Sequence, residues 1–157
     1  MFGLMLSRKR IKLLANIVIE GLQELQSNLK QFVFDMDTAI DDAVRVTAFK
    51  VNNTAIDLIK DPSSSGRFVS RGDKARHEIS KEGDAPNVDQ GLLWENIGVD
   101  HKKGSQEALV TANVEYATIL ETTHNRPFME PAKMAEVKFF SDNLANAMDS
   151  QIKKAGK

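Results

Sequence analysis

The strongest periodic signal in the chain lies between Met36 and Ile59. Ile40, Val44, Thr47, Ala48, Val51, Ala55, Leu58 and Ile59 fall on one face when successive residues turn by about 100°. This spacing predicts a helix of roughly 36 Å at ~1.5 Å per residue. Asp35 or Asp37 is placed to cap its start, and Asp41 and Asp42 suit the positive end of a helix dipole. The helix is expected to stop near Asp61-Pro62, because a residue before proline disfavours the helical conformation. Upstream, the β-branched run Ile17-Val18-Ile19 predicts a brief strand or extended lead-in. A short helix carrying Leu22, Leu25, Leu29 and Phe32 is expected after it.

A second long helix is predicted from about Pro131 to Lys154, with Val137, Phe140, Leu144, Met148 and Ile152 as its apolar stripe. Pro131 suits a first helical turn, where a missing N–H costs nothing. Lys153, Lys154 and Gly156 suit the far end. Between the helices, "GLLWENIGVD" and "SQEALVTANV" read as strands joined by a turn at "HKKGS", and "YATILET" reads as a third antiparallel strand. Val110, Ala112 and Val114 alternate with Thr111 and Asn113, as one buried sheet face requires.

Residues 61–91 have turn and charge composition throughout, too long for an ordinary connection of ~4–6 residues. They predict a long, mobile loop, with "GRFVS" as a short strand within it. The sum is an α+β domain over 17–157: short helix, long helix, a small antiparallel sheet of three to four strands with the long loop, and a long C-terminal helix packed on the sheet. Residues 1–16 read as an added arm, basic at Arg8, Lys9, Arg10 and Lys12.

One detail breaks the amphipathic pattern. Phe49 and Ile56 stand one heptad apart on the polar side of the long helix, forming a narrow second apolar stripe. Either the domain covers this helix on both sides, or the stripe meets another subunit. With Arg67, Phe68 and Arg71 of the long loop, these residues make up the candidate subunit or partner interface.

Composition narrows the function more than it names it. Of 157 residues, 41% are apolar and 27% charged, a globular balance with room for one ordinary domain. A net charge of -1 argues against nucleic-acid binding by bulk attraction. With no cysteine, a disulfide scaffold and a thiolate metal site are excluded. No apolar run approaches the ~20 residues of a membrane-spanning helix. His77, His101 and His124 are scattered over separate turns or loops and read as exposed histidines without a special role. The acidic cluster Asp35, Asp37, Asp41 and Asp42 is explained by helix-start electrostatics. No phosphate loop, dinucleotide fingerprint or nucleophile elbow occurs, so neither an enzyme nor a cofactor is expected.

Three stretches carry a resemblance. "IEGLQELQSNL" (Ile19–Leu29) is a Gly-Leu-x-x-Leu-x-x-x-Leu helix. "HEISKEGDAPNVDQGLLWENIGV" (His77–Val99) contains His-x-x-Ser-x-x-Gly-x-x-Pro-x-x-x-x-Gly-x-Leu before a short strand. "YATILETTHNRPFMEPA" (Tyr116–Ala132) contains Tyr-x-x-x-x-Glu followed by an Arg-Pro-Phe-x-x-Pro-Ala corner. In order and spacing these resemble the tail-completion, or head–tail joining, family of lambdoid-type long-tailed bacteriophages, whose members are also described as minor tail components. The resemblance marks Tyr116, Glu121, Arg126, Pro127, Phe128 and Pro131 as the motif corner. It departs from the family at Thr122, which stands where a glycine is usual, and the arm 1–16 lies outside it.

The resemblance implies a structural virion protein with no catalysis and no cofactor. It implies a ring-forming homo-oligomer, a hexamer being the expected size, at the junction of neck and tail tube. Its partners would be neck and tail-tube or tail-terminator proteins, with no membrane and no sequence-specific nucleic acid. It would reside in the tail–neck region of the virion, and in the host cytoplasm during assembly. The neighbouring readings are a tail terminator, a head-completion stopper, and a small enzyme or nucleic-acid accessory protein. The last needs a convergent polar cluster among Asp35, Asp37, Asp42, His77, His101 and His124.

Overall fold

The computed structural model of the chain describes residues 4–61, 66–70, 77–87 and 91–156, with side chains from Gly21 onward apart from His77. Its first element, α1, is a single helix, Leu4–Lys60, of 57 residues and roughly 85 Å. The expected lead-in strand and the boundary near Met36 are therefore absent. Ile17-Val18-Ile19 is helical, and the backbone from Leu4 to Asn16 is continuous with the same helix. The local reason is that nothing between Leu4 and Lys60 breaks a helix: the stretch has no proline and one glycine, Gly21. A β-branched run of three is a weak preference that continuous hydrogen bonding overrides. The predicted end near Asp61 is correct.

Two separate two-stranded antiparallel ribbons follow, not one sheet of three or four strands. The first pairs β1 (Arg67–Val69) with β2 (His77–Ile79), Phe68 opposite Glu78. It lies inside the stretch expected to be a long loop, and it bears out the short strand expected in "GRFVS". Gly66 leads into it because a side chain there would collide with the Ile79 carbonyl. Residues 62–65, 71–76 and 88–90, Arg71 included, lie outside the described residues. "GLLWE" is not strand: α2 (Leu92–Glu95) is one helical turn that delivers Leu93 to the core. The second ribbon pairs β3 (Ile97–His101) with β4 (Ala108–Ala112), Val99 opposite Val110, around the predicted turn.

The third strand expected at "YATILET" is also overturned. Glu115 and Tyr116 form a turn, Ala117 and Thr118 are helical, and Ile119–Thr123 is one π-helical turn. Without a cross-strand partner the segment satisfies its own backbone locally, the His124 N–H donating to the Ile119 carbonyl and the Arg126 N–H to that of Leu120. The chain then turns into α3 (Met129–Ala155).

α3 runs antiparallel to α1. The Thr54 hydroxyl meets Glu136, and the Asn143 amide reaches the Ala43 carbonyl, 100 positions away. Small side chains let the rods approach: Ala43, Ala48 and Ala55 on α1 and Ala132 on α3 are buried. The core proper gathers Ala55 and Ile59 of α1, Leu93, Ile97, Ala117, Phe128 and Ala132. Phe128, 1% exposed, is its largest fully buried side chain. Burying a side chain of that kind contributes about 1.5–3 kcal/mol. All eight stripe residues predicted for the helix over 36–59 are buried or half-buried.

The stripe predicted for α3 is not the packed face. Val137, Phe140, Met148 and Ile152 are exposed and Leu144 alone of the stripe is half-buried, while Ala132, Glu136, Phe139, Asn143 and Ala147 turn inward. Periodicity identifies the apolar face of a helix, but here close helix approach selects the small and polar one.

Candidate functional site

The motif corner closes on one carboxylate. Glu121 accepts the N–H groups of Phe128 at 2.9 Å, Met129 at 3.3 Å and Glu130 at 3.0 Å. The first turn of a helix leaves its leading N–H groups without partners. Here Glu121 takes those of Met129 and Glu130, Pro131 has none, and Ala132 donates to the Phe128 carbonyl. The Glu and the second Pro of the motif thus complete the same account from opposite sides. Pro131 is the third helical residue rather than the opening one.

The other corner residues divide. Phe128 is the core anchor and Leu120 packs against the core. Tyr116 and Ile119 are 41% and 48% exposed, and Ala117 is the buried residue of this stretch. Pro127 and Arg126 are half-buried, and the Arg126 Nε is buried without a hydrogen-bond partner among the described residues. At Thr122 no left-handed backbone is needed. The positive φ of the corner is at Asn125, 47°, and the Thr122 hydroxyl donates to the Thr118 carbonyl at 2.8 Å. Asn is among the residues that tolerate this conformation.

The polar residues weighed for chemistry form a structural clamp. The buried Asp41 carboxylate accepts the backbone N–H of Gly104 at 2.9 Å and of Gln106 at 3.0 Å, and pairs with the His101 Nε2 at 3.0 Å. The Gly104 bond, with those from Gln106 and His101, holds the Asp41 carboxyl below its ordinary range against an opposing contribution from burial. This corrects two expectations. Asp41 is not at a helix start but mid-rod, and His101 is a strand residue with its side chain 7% exposed, not a free surface histidine. Neither was legible, because the partners are separated by 60 positions and no spacing rule links them. Asp37 joins the same turn by accepting from the Gln106 side chain. Glu136 is the second such group: Lys50, then Thr54, hold its carboxyl low against burial, and Lys50 also lies over the Phe139 ring. Among the described residues no three His, Asp or Glu side chains gather as a metal site, and no helix is long and apolar enough to cross a membrane.

The remaining unusual feature is exposed apolar surface. Phe49 is 47% and Phe68 59% exposed, and Arg67 is exposed, whereas Ile56 packs partly against the core. The Phe49/Ile56 stripe therefore does not stand free as a pair. A larger surface was not anticipated. Every residue from Gly21 to Gln31 is exposed, and Leu22, Leu25, Leu29, Val33 and Phe34 are each more than half exposed. Beside α3 lies an open trough of about 1240 Å³ between α1, the β3–β4 ribbon and α3. Val44 and Val51, Leu109 and Val110, and Met129 and Phe140 line it, with Asp100, Lys102, Glu107 and Lys133 among its polar residues.

In comparisons with protein-family models, with curated proteins and with solved structures, nothing matched the chain.

Proposed function

We propose that the protein is a structural virion subunit that assembles at the neck of a long-tailed bacteriophage and joins the tail tube to the head. The observation that carries this reading is the motif corner. Glu121, Phe128 and Pro131, which the resemblance singles out, work as one device that closes the π turn onto the start of α3. A motif whose Glu121, Phe128 and Pro131 have mechanical roles supports the resemblance better than the letters alone.

The surface supports the same class. Large apolar side chains stand exposed along α1 and α3, and a contiguous exposed apolar strip marks an interaction site. The polar clusters are spent on holding the fold: Asp41 on a hairpin, Glu121 on a helix end, Glu136 between two helices. Assembly, rather than turnover, is what such a distribution serves.

The test is electron microscopy of particles made without this gene. Separate full heads and finished tails are the expected result, and virions of normal form would refute the joining role. Tail-terminator and stopper roles differ from it in which intermediate accumulates, unfinished tails in the first case and leaking heads in the second.

A further inference from the structure

We infer that Arg126 is a carboxylate-binding residue, set to receive an acidic group that its own chain does not supply. The inference rests on the geometry of the corner and not on the virion reading.

Arg126 stands in the middle of the motif corner with its charge unpaired. It is half-buried, and its Nε is closed off from solvent with no hydrogen-bond partner. Among the described residues its side chain makes no ion pair and donates no hydrogen bond. A guanidinium stays protonated throughout the pH range of folded proteins, so it cannot escape burial by losing its charge. The carboxylates described above are all engaged: Asp41 by His101, Glu136 by Lys50, and Glu121 by three N–H groups. Arg126 is the exception.

The residue is held in place. Its own N–H donates to the Leu120 carbonyl at 2.9 Å, and the Asn125 carbonyl before it accepts the Gly83 N–H at 2.6 Å. Pro127 after it restricts its backbone further. An arginine on a fixed backbone loses less freedom on binding than one on a loose loop. The N–H groups along one edge of a guanidinium match the two oxygens of a carboxylate.

The Gly83–Asn125 bond ties the corner to the segment that follows β2, and that segment has unpartnered polar atoms as well. Ser80 is 4% exposed, and its hydroxyl has no partner. The Asn87 amide donates to the Glu78 carbonyl, but its buried Oδ1 has none. Among the described residues, three of the four buried side-chain polar atoms without a partner thus belong to these two tied segments; the fourth is on Asn52. A serine hydroxyl is free to turn its O–H toward an anion.

The chain does not satisfy Arg126 from its own acids. Glu121 precedes it in the sequence, and both Glu121 oxygens are engaged by the start of α3. Glu130 pairs with Lys133. Glu82 and Asp84 flank Gly83, which is bonded to Asn125, yet neither pairs with Arg126. The same residues discriminate between anions. Glu82 and Asp84 on the tied turn outnumber Lys81, and Glu121 adds to them. Such surroundings repel a doubly charged phosphate more than a singly charged carboxylate.

The test uses the full chain with acetate as the probe. The Arg126 Nε–H resonance, assigned by its loss in Arg126→Lys, is followed by nitrogen–proton NMR while sodium acetate replaces sodium chloride at constant ionic strength. A shift that saturates is expected, with a smaller response to inorganic phosphate. Absence of saturation with acetate, or a larger response to phosphate, overturns the assignment. The half-saturation point separates two sources of the same chemistry. Saturation below roughly 1 mM identifies a small free carboxylate. A higher value identifies an acidic side chain of a docked protein, which relies on the millimolar effective concentration that docking provides. Urea midpoints give the second readout. Arg126→Met keeps the reach of the side chain and removes its charge. The midpoint of the isolated chain is expected to stay level or rise, because a buried charge without a partner is gone. A lowered midpoint would mean that Arg126 serves its own fold, and would overturn the proposal.

Discussion

Asp41 on α1 and His101 on β3, 60 positions apart, meet at 3.0 Å with both side chains less than a tenth exposed. The same carboxylate holds the backbone of Gly104 and Gln106, so one side chain fixes the whole β3–β4 turn against the rod. The turn contains a positive φ at Gln106, 56°, a conformation that an unbraced non-glycine residue rarely keeps.

Acid should release this clamp. The folded-state pKa of Asp41 lies below its unfolded value, and that of Glu136 does too. A group depressed in this way binds more protons when unfolded. Its contribution is therefore fully present above the ordinary carboxylate pKa of ~4 and is lost as pH falls through the lower folded value. Urea midpoints measured against pH should be level with respect to these two groups at neutral pH and fall below about pH 4. Asp41→Asn should remove part of that fall. In hydrogen exchange the same variant should lose protection at the Gly104 and Gln106 amides while Val51–Ile59 of α1 stays protected. Unchanged exchange at both amides would count against the clamp.

Glu121 offers a sharper mutational contrast. Glu121→Ala leaves three N–H groups at the start of α3 without their acceptor. Loss of a helix cap costs about 0.5–2 kcal/mol, and the shared use of one carboxylate places this variant at the upper end. Glu121→Gln keeps one acceptor oxygen and should lose less. Equilibrium denaturation with an unchanged slope would read the difference as stability, and equal loss in both variants would show that charge rather than acceptor geometry matters.

How much of this was legible in the chain depends on the range of the cause. The helix face over 40–59, the end near Asp61, the strand at 67–69 and the turn after His101 follow from periodicity and turn chemistry within a few residues, and they are present. The continuity of α1 was missed because acidic residues at 35–42 mimic a helix start, whereas Asp41 serves a partner in a distant hairpin. The π turn was missed because Tyr116, Thr118, Ile119 and Thr122 are aromatic or β-branched residues of the kind strands favour. The α3 stripe was identified correctly as apolar and assigned to the wrong side. Sequence reports that a face avoids water but not whether the chain's own elements cover it, and the Ala43, Ala48, Ala55 and Ala132 contact carries little hydrophobic signature.

The departure at Thr122 can be tested against Asn125. If the corner needed glycine at 122, Thr122→Gly would stabilise the protein. The structure predicts the reverse. Thr122 gives up its bond to Thr118 and adds unfolded-state freedom, for a loss of roughly 0.5–1 kcal/mol. At Asn125, where φ is positive, glycine should be tolerated within about 0.5 kcal/mol. A β-branched Asn125→Val should cost about 1–2 kcal/mol. Thermal unfolding of the three variants orders them, and a stabilised Thr122→Gly would contradict the described backbone.

Phe49 and Ile56 share a heptad but not an environment. Phe49 is 47% exposed, and Ile56 packs partly against the core around Ala55 and Ile59. A charge at 56 therefore loses packing and places a carboxylate against apolar neighbours, at about 2 kcal/mol or more, and should be visible in the isolated chain. A charge at 49 remains in water and should shift stability by less than about 0.5 kcal/mol. If Phe49 touches another subunit, Phe49→Asp will fold normally and fail only in assembly, so the two readouts separate in one variant. Denaturation of both single variants, with incorporation into particles measured for Phe49→Asp, decides the matter. Normal incorporation would remove Phe49 from the interface, and a large stability loss at 49 would show that its own domain already covers it.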